Sequence, residues 1–191
     1  TSQTGQLPAY VVATGGSPCT GSICGDYKTH SFTGPGTLTV SCAGNACGNN
    51  KVDYLVVAAG GGGGSFGTTG SAGGGGAGGF RESKAPGAPW TASPIVSATS
   101  LTLDATPYAV SVGAAGASTT GGDGGKGGDS VFSTITSTGG GYGNNASPHV
   151  GGPGGSGGGG GGTGNCGTAG TGDDPPTTPD QGFPGGDALT T

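Results

Sequence analysis

Charge and apolar bulk are both scarce in this chain of 191 residues. Charged residues make up 8 % of it, and Val, Leu, Ile and Phe together number 25. The five basic residues, Lys28, Lys51, Arg81, Lys84 and Lys126, form no patch, which argues against nucleic acid as a partner. Glu82 is the only Glu, and no two acids are spaced for glycoside hydrolysis. No apolar run approaches the roughly 20 residues of a membrane-spanning helix, so no membrane insertion is expected. Met is absent and no signal peptide is recognisable, so the expectation is a processed chain or a piece of a longer one. Lys and Glu follow no helical pattern, and essentially no α-helix is expected. The low apolar content would suit disorder, but a net charge of only −5 lacks the other half of that signature. So few apolar side chains cannot offset the entropy of ordering the whole backbone. Hydrogen bonds between main-chain segments or between subunits must supply much of the rest, so an oligomer or a tightly packed backbone lattice is expected.

What the chain has is glycine, 52 residues of it. From Gly61 a three-residue frame runs through Gly64, Gly67, Gly70, Gly73, Gly76 and Gly79. From Gly152 another runs through Gly155, Gly158, Gly161, Gly164, Gly167 and Gly170. A period of three fits neither α-helix nor strand. It fits the extended left-handed polyproline-II helix, where glycine along one edge leaves a bare backbone that a neighbour can approach. Glycine also fills off-frame positions such as Gly62, Gly75, Gly160 and Gly162, and a third window from Gly113 to Gly128 breaks the frame at Thr119. Flexible glycine-rich loop is the competing reading.

Strands are expected between these runs. Thr29–Ser41 has two alternating stretches around Gly34-Pro35-Gly36, a hairpin signal. Val52–Ala59 is a near-continuous apolar strand of central type. Ser100–Asp104, Tyr108–Gly113 and Ser130–Thr138 follow, whereas residues 81–99 read as an irregular excursion and almost nothing after Gly139 reads as strand. The fold class is therefore all-β: a small antiparallel β-sandwich with glycine-rich excursions of polyglycine or polyproline-II type. Three regions are expected: 1–59 with two Cys loops, 60–138 as the glycine-rich β-region, and 139–191 as a glycine-rich C-terminal segment, possible truncation included.

Cys19, Cys24, Cys42 and Cys47 form two C-x4-C pairs whose glycines could turn the chain. Local bridges 19–24 and 42–47 come first, then pairing between the two loops, then a four-cysteine zinc site, which lacks a C-x2-C knuckle, with free thiols as the remaining alternative. Disulfides would imply an extracellular setting. Cys166 is left over.

Catalytic and cofactor motifs fail on inspection, and neither enzyme activity nor a cofactor is expected. Gly124–Phe132 matches one copy of the calcium nonapeptide, a motif that works in tandem, so a turn entering a strand at Asp129 is the simpler reading. The same stretch lacks the Gly and the Ser or Thr of a phosphate loop. Ser65 and Ser156 match the nucleophile-elbow pattern, but glycine runs follow where a helix is required. Asn145-Ala146-Ser147 is a formal sequon in a loop. The aromatics Phe66, Phe80, Trp90, Tyr142 and Phe183 lie in or beside Gly- or Pro-rich segments. Rings among few charges suit sugar contacts, although each could instead cap a glycine layer. Trp90 and Tyr142 are the surface-binding candidates.

Residues 29–40, 52–64, 73–82, 108–114, 129–141 and 154–160 together closely resemble, in order, the glycine-rich domain of bacteriophage tail-fibre and virion proteins, marine phages especially. The likeness covers roughly 28–187 and omits residues 1–27 and the two cysteine loops. It implies a non-enzymatic virion protein, a tail-fibre or adhesin module that contributes to host-surface attachment, with a location on the virion or outside the cell. Some phage adhesins look like stacked polyglycine helices with variable loops at the end. The partners implied are a homo-oligomer, a trimer above others, or other virion proteins, together with a host cell-surface glycan. The alternative is a structural subunit of a virion or of a self-assembling extracellular filament.

Overall fold

A computed structural model describes residues 7–66, 71–97, 99–145, 149–162 and 167–188. Cys166, Ser147 of the sequon and the frame positions Gly67, Gly70 and Gly164 lie outside them. Among the described residues the fold is all-β, with no α-helix.

Among the described residues eleven short strands form four antiparallel groups. The largest sheet has the order β1 (Val11–Thr14), β4 (Gly36–Ala43), β9 (Pro107–Ser111), β10 (Ser130–Phe132), β11 (Ile135–Ser137). β2 (Ser22–Cys24) pairs with β3 (Tyr27–Thr29), β5 (Lys51–Val52) with β8 (Leu101–Thr102), and β6 (Leu55–Val57) with β7 (Phe80–Glu82). β4 shows why the sheet has one oily face. Leu38 and Val40 point inward and are buried, while Thr37, Thr39 and Ser41 alternate outward. Leu38 and Val40 meet Ala13 and Leu103 in the core, with Val52, Leu101, Tyr108 and Phe132 packed against them.

Three strand expectations need correction. The hairpin around Pro35 does not form, because β4 takes β1 and β9 as partners. The chain before it is instead drawn toward residues 15–17: Ser17 N–H donates to the Ser31 carbonyl at 2.8 Å, and His30 Nδ1 lies 2.8 Å from the Gly15 carbonyl. Residues 52–59 do not make one central strand. Asp53 interrupts them by accepting from Ser83 Oγ (3.0 Å), Ser100 Oγ (2.6 Å) and Ala85 N–H (2.9 Å), and β5 and β6 go to separate pairs. Residues 130–138 fold back on themselves as β10 and β11, turning at Ser133, whose φ is 55°.

The glycine runs are extended and joined to one another by main-chain hydrogen bonds that repeat every third residue. In 155–162, the N–H groups of Ser156, Gly159 and Gly162 donate to the carbonyls of Ala77, Gly74 and Ser71. Those of Gly157 and Gly160 donate to Phe183 and Gly186, and those of Gly155 and Gly158 to Gly139 and Gly152. Successive residues therefore donate in three directions. The run 58–65 repeats with the same period in two directions. Ala58, Gly61 and Gly64 donate to Gly79, Gly76 and Gly73, whereas Ala59, Gly62 and Ser65 donate to Gly128, Gly125 and Gly122.

Side-chain-free contact makes this spacing possible. A Cβ on Gly61 would run into the Gly141 carbonyl, and one on Gly158 into the Tyr142 carbonyl. The off-frame glycines have the same reason on another side: a Cβ on Gly62 would strike the Ala117 carbonyl. A run with several neighbours needs glycine in more than one frame.

Candidate functional site

Hydrogen-bond register fixes which turns share an end of the glycine region. The runs 58–65 and 71–79 are antiparallel, with Gly64 N–H bonded to the Gly73 carbonyl at 3.0 Å, so Ser65 and Ala72 stand at the same end. Ser65 N–H donates to the Gly122 carbonyl at 2.9 Å, which brings the 119–122 turn alongside. Gly73 N–H reaches the Asn144 carbonyl at 2.8 Å, and Gly162 N–H reaches that of Ser71 at 3.0 Å. Asn144 and Gly162 therefore stand at that same end. The strands lie at the opposite end, where β6, β9 and β11 feed the runs and β7 and β10 receive them.

Polar side chains cap the turn end. Asp123 Oδ1 accepts from Asn144 Nδ2 at 3.0 Å and from Asn145 N–H at 2.8 Å. Thr119 Oγ1 donates to the Gly122 carbonyl at 2.8 Å. Asn144 is buried, and its Oδ1, like Nδ1 of His149, meets no partner among the described residues. His149 has a φ of 63° and its carbonyl accepts from Thr168 N–H. These groups hold residues 119–123 to the end of the run 138–145 and leave the Asp123 carboxylate exposed, an acceptor suited to hydroxyl-rich ligands. Sequence reasoning passed over Asp123 and Asn144. The available signal was a polar residue directly after glycine, as Asp123 follows Gly122 and Asn144 follows Gly143.

The aromatic candidates are not brought together. Trp90 lies in the excursion after β7 and meets Tyr27 of β3 edge-on, with centroids 5.6 Å apart and planes at 79°. Tyr142 lies within the run 138–145, half-buried, with its ring over the backbone of Gly152. Phe183 is 62 % exposed beside Pro184.

Cys19, Cys24, Cys42 and Cys47 are free thiols, so the expected bridges 19–24 and 42–47 are not formed in this structure. Cys24 ends β2 opposite Tyr27 and Cys42 sits in β4 opposite Val12. Extended strands hold these two, while Cys19 and Cys47 lie in turns. Among the described residues no three His, Cys, Asp or Glu side chains gather as a metal site. Asp129, the acid of the calcium-like motif, accepts from Gly139 N–H at 2.8 Å at the entry to β10.

A second polar hub lies in the loop between the last two glycine runs. Asp173 accepts from the N–H and Oγ1 of Thr177 and from Gln181 N–H, at 2.8–3.1 Å. Burial pushes its carboxyl up, but the bonds from Gln181 and Thr177 outweigh that and hold it below the ordinary value. Gln181 is buried and accepts from Thr138 N–H at 2.8 Å, while its Nε2 donates to the Pro175 carbonyl at 3.1 Å.

The sequence profile of a family described as a glycine-rich domain matches residues 31–190. The chain belongs to that family. No curated protein and no solved structure matches it. The matched span of the glycine-rich domain begins just before β4 and takes in every glycine run, so β1, β2 and β3 precede it.

Proposed function

We propose that this glycine-rich domain is a non-enzymatic virion protein of a bacteriophage, a tail-fibre or adhesin module that contributes to host-surface attachment. The observation that carries this reading is the gathering of Ser65, Ser71, Gly122, Asn144 and Gly162, where described runs end or turn, at one end of a hydrogen-bonded bundle. We read the runs as polyglycine-II-type helices, because their donors repeat with period three and point three ways. We read the strand region as a small sandwich, with β5 and β8 covering the oily face of the five-stranded sheet. Such a body is stiff, presents its connections away from its strands, and suits the outside of a particle. Its partner at the turn end would be a cell-surface glycan, met by the exposed Asp123 and Thr120; Trp90 beside Tyr27 is a separate aromatic contact.

The test is binding of the labelled chain to cells of a host panel, with Asp123→Ala, Trp90→Ala and a replacement of the 119–122 turn. Loss on changing the turn end, with the circular-dichroism spectrum intact, supports the reading. Binding to no cell, or binding indifferent to all three changes, refutes it.

A second reading, a structural subunit of a virion or an extracellular filament, is favoured by the edge strand β1. There Val12 is 49 % exposed on a strand with one hydrogen-bonded neighbour, and Tyr10 just before it, bridged to Asn49, is 63 % exposed. Long polymers of the isolated chain in electron micrographs would favour it over the adhesin.

A further inference from the structure

One position beside the glycine runs is empty. An open groove of about 420 Å³ lies between 72–75 and 185–187, floored by Gly157, Gly159 and Gly160. Its floor is the run 155–162, which donates to both walls: Gly159 N–H to the Gly74 carbonyl at 2.8 Å and Gly160 N–H to the Gly186 carbonyl at 3.1 Å.

Gly73, Gly75 and Gly185 of the walls each face a main-chain carbonyl, but two wall glycines have no such internal reason. Most glycines of the runs face a main-chain carbonyl or another group that a Cβ would strike. Gly25, Gly87 and Gly121 meet nothing but have positive φ, and Gly34 precedes a proline in a turn. Gly74 and Gly186 have neither a positive φ nor any atom within 4 Å of a Cβ, and both stand on the rim of this groove. Among the described residues, no backbone acceptor meets the N–H of Gly74, Gly75 or Gly186, and no backbone donor meets the Gly75 carbonyl. Bare backbone, free donors and a free acceptor thus line a channel bounded by extended runs.

We propose that this groove receives the 71–75 run of a second copy of the chain. The guest must be extended, nearly free of side chains, and supplied with unused donors and acceptors. Ser71-Ala72-Gly73-Gly74-Gly75 has that composition, and Gly74 and Gly75 are exposed. Because the guest run is also one wall of the groove, the contact is two-fold: each copy lays its 71–75 run against the other's floor. This rests on the polyglycine reading of the runs but not on host attachment.

The experiment is sedimentation of the full chain at micromolar concentration, beside Gly74→Val, Gly186→Val and the control Gly34→Val. A dimer is expected for the parent and the control, with association weakened about tenfold or more in the two rim variants. Their thermal midpoints, read where all are monomeric, should match the parent. If a rim variant unfolds, hydrogen exchange on the parent decides, since the Gly74 and Gly75 amides should gain protection as concentration rises. A monomeric parent, an oligomer indifferent to both rim changes, or amides without concentration-dependent protection overturns the proposal. A missing polyproline-II signature in circular dichroism would instead remove the fold reading beneath it.

Discussion

The Tyr142 ring lies over the backbone of Gly152, and Gly152 N–H donates to the Tyr142 carbonyl at 2.8 Å. Bond and ring together tie the run 138–145 to the segment after His149. A Cβ on Gly152 would occupy the space of the ring edge. Tyr142 is thus a packing residue of the glycine layer, and its replacement should act on stability. Tyr142→Ala is expected to cost about 2 kcal/mol, below the range for a fully buried ring because this one is half-buried. Host-cell binding of the folded variant should be unchanged. Urea denaturation and a binding assay on the same sample check both halves, and unchanged stability with lost binding would reverse the assignment.

Position within a glycine run should decide what a methyl group does. Gly61 faces the Gly141 carbonyl, and an added Cβ would overlap it. Two residues on, a Cβ at Gly63 finds its nearest atom, the Gly73 carbonyl oxygen, at 3.6 Å, an ordinary contact. Gly61→Ala should therefore destabilise by about 1–3 kcal/mol through forced separation of two runs. Gly63→Ala should leave stability unchanged or raise it by up to about 1 kcal/mol, by restricting the unfolded chain. Thermal melts of the two variants at equal concentration make the comparison. Equal losses at both sites would mean that glycine serves flexibility here rather than close approach.

The same pair marks how far the sequence could be read. Among the described residues, the absence of helix, the strands alternating with glycine stretches, and the lack of strands after Gly139 were legible, because period and composition are local signals. Partner choice was not. Nothing near Pro35 says that β4 will prefer β1 and β9, since pairing is settled by burial of Leu38 and Val40 against Leu103, far along the chain. Asp53 interrupting an apolar stretch could be seen, but not the two serines 30 and 47 residues away that bond to it. At the turn end, the Asp123–Asn144 contact depends on the register of two runs, which a sequence dense in glycine leaves open.

The cysteines offer a chemical check. Cys19, Cys24 and Cys47 are exposed and Cys42 is half-buried, all as thiols. A thiol reagent without denaturant should modify the first three quickly and Cys42 more slowly. Cys19→Ser with Cys24→Ser should change stability by less than about 0.5 kcal/mol, as for surface substitutions away from packed features. Intact mass before and after reduction gives the decisive number. A rise of two hydrogens per bridge on reduction would restore the local pairing expected from the spacing.

Asp173 should make stability sensitive to acid. Its carboxylate holds Thr177 and Gln181, and Gln181 in turn holds Thr138 and Pro175, so the loop 173–181 is tied to the start of the run 138–145 through one charge. The folded carboxyl titrates below its ordinary value, because those donors favour the charged form more than burial disfavours it. A depressed folded value contributes stability that is complete above the unfolded one, about 3.9, and is lost as pH falls from there through the folded value. Asp173→Asn keeps the shape but removes the charge and two-oxygen acceptance. It should lower stability by about 1 kcal/mol at neutral pH and flatten the decline below about pH 4. Denaturation midpoints of parent and variant across pH 2.5–7 (roughly the window in which carboxylates titrate) test both. Parallel curves over that range would mean that Asp173 is not the group whose protonation loosens the loop.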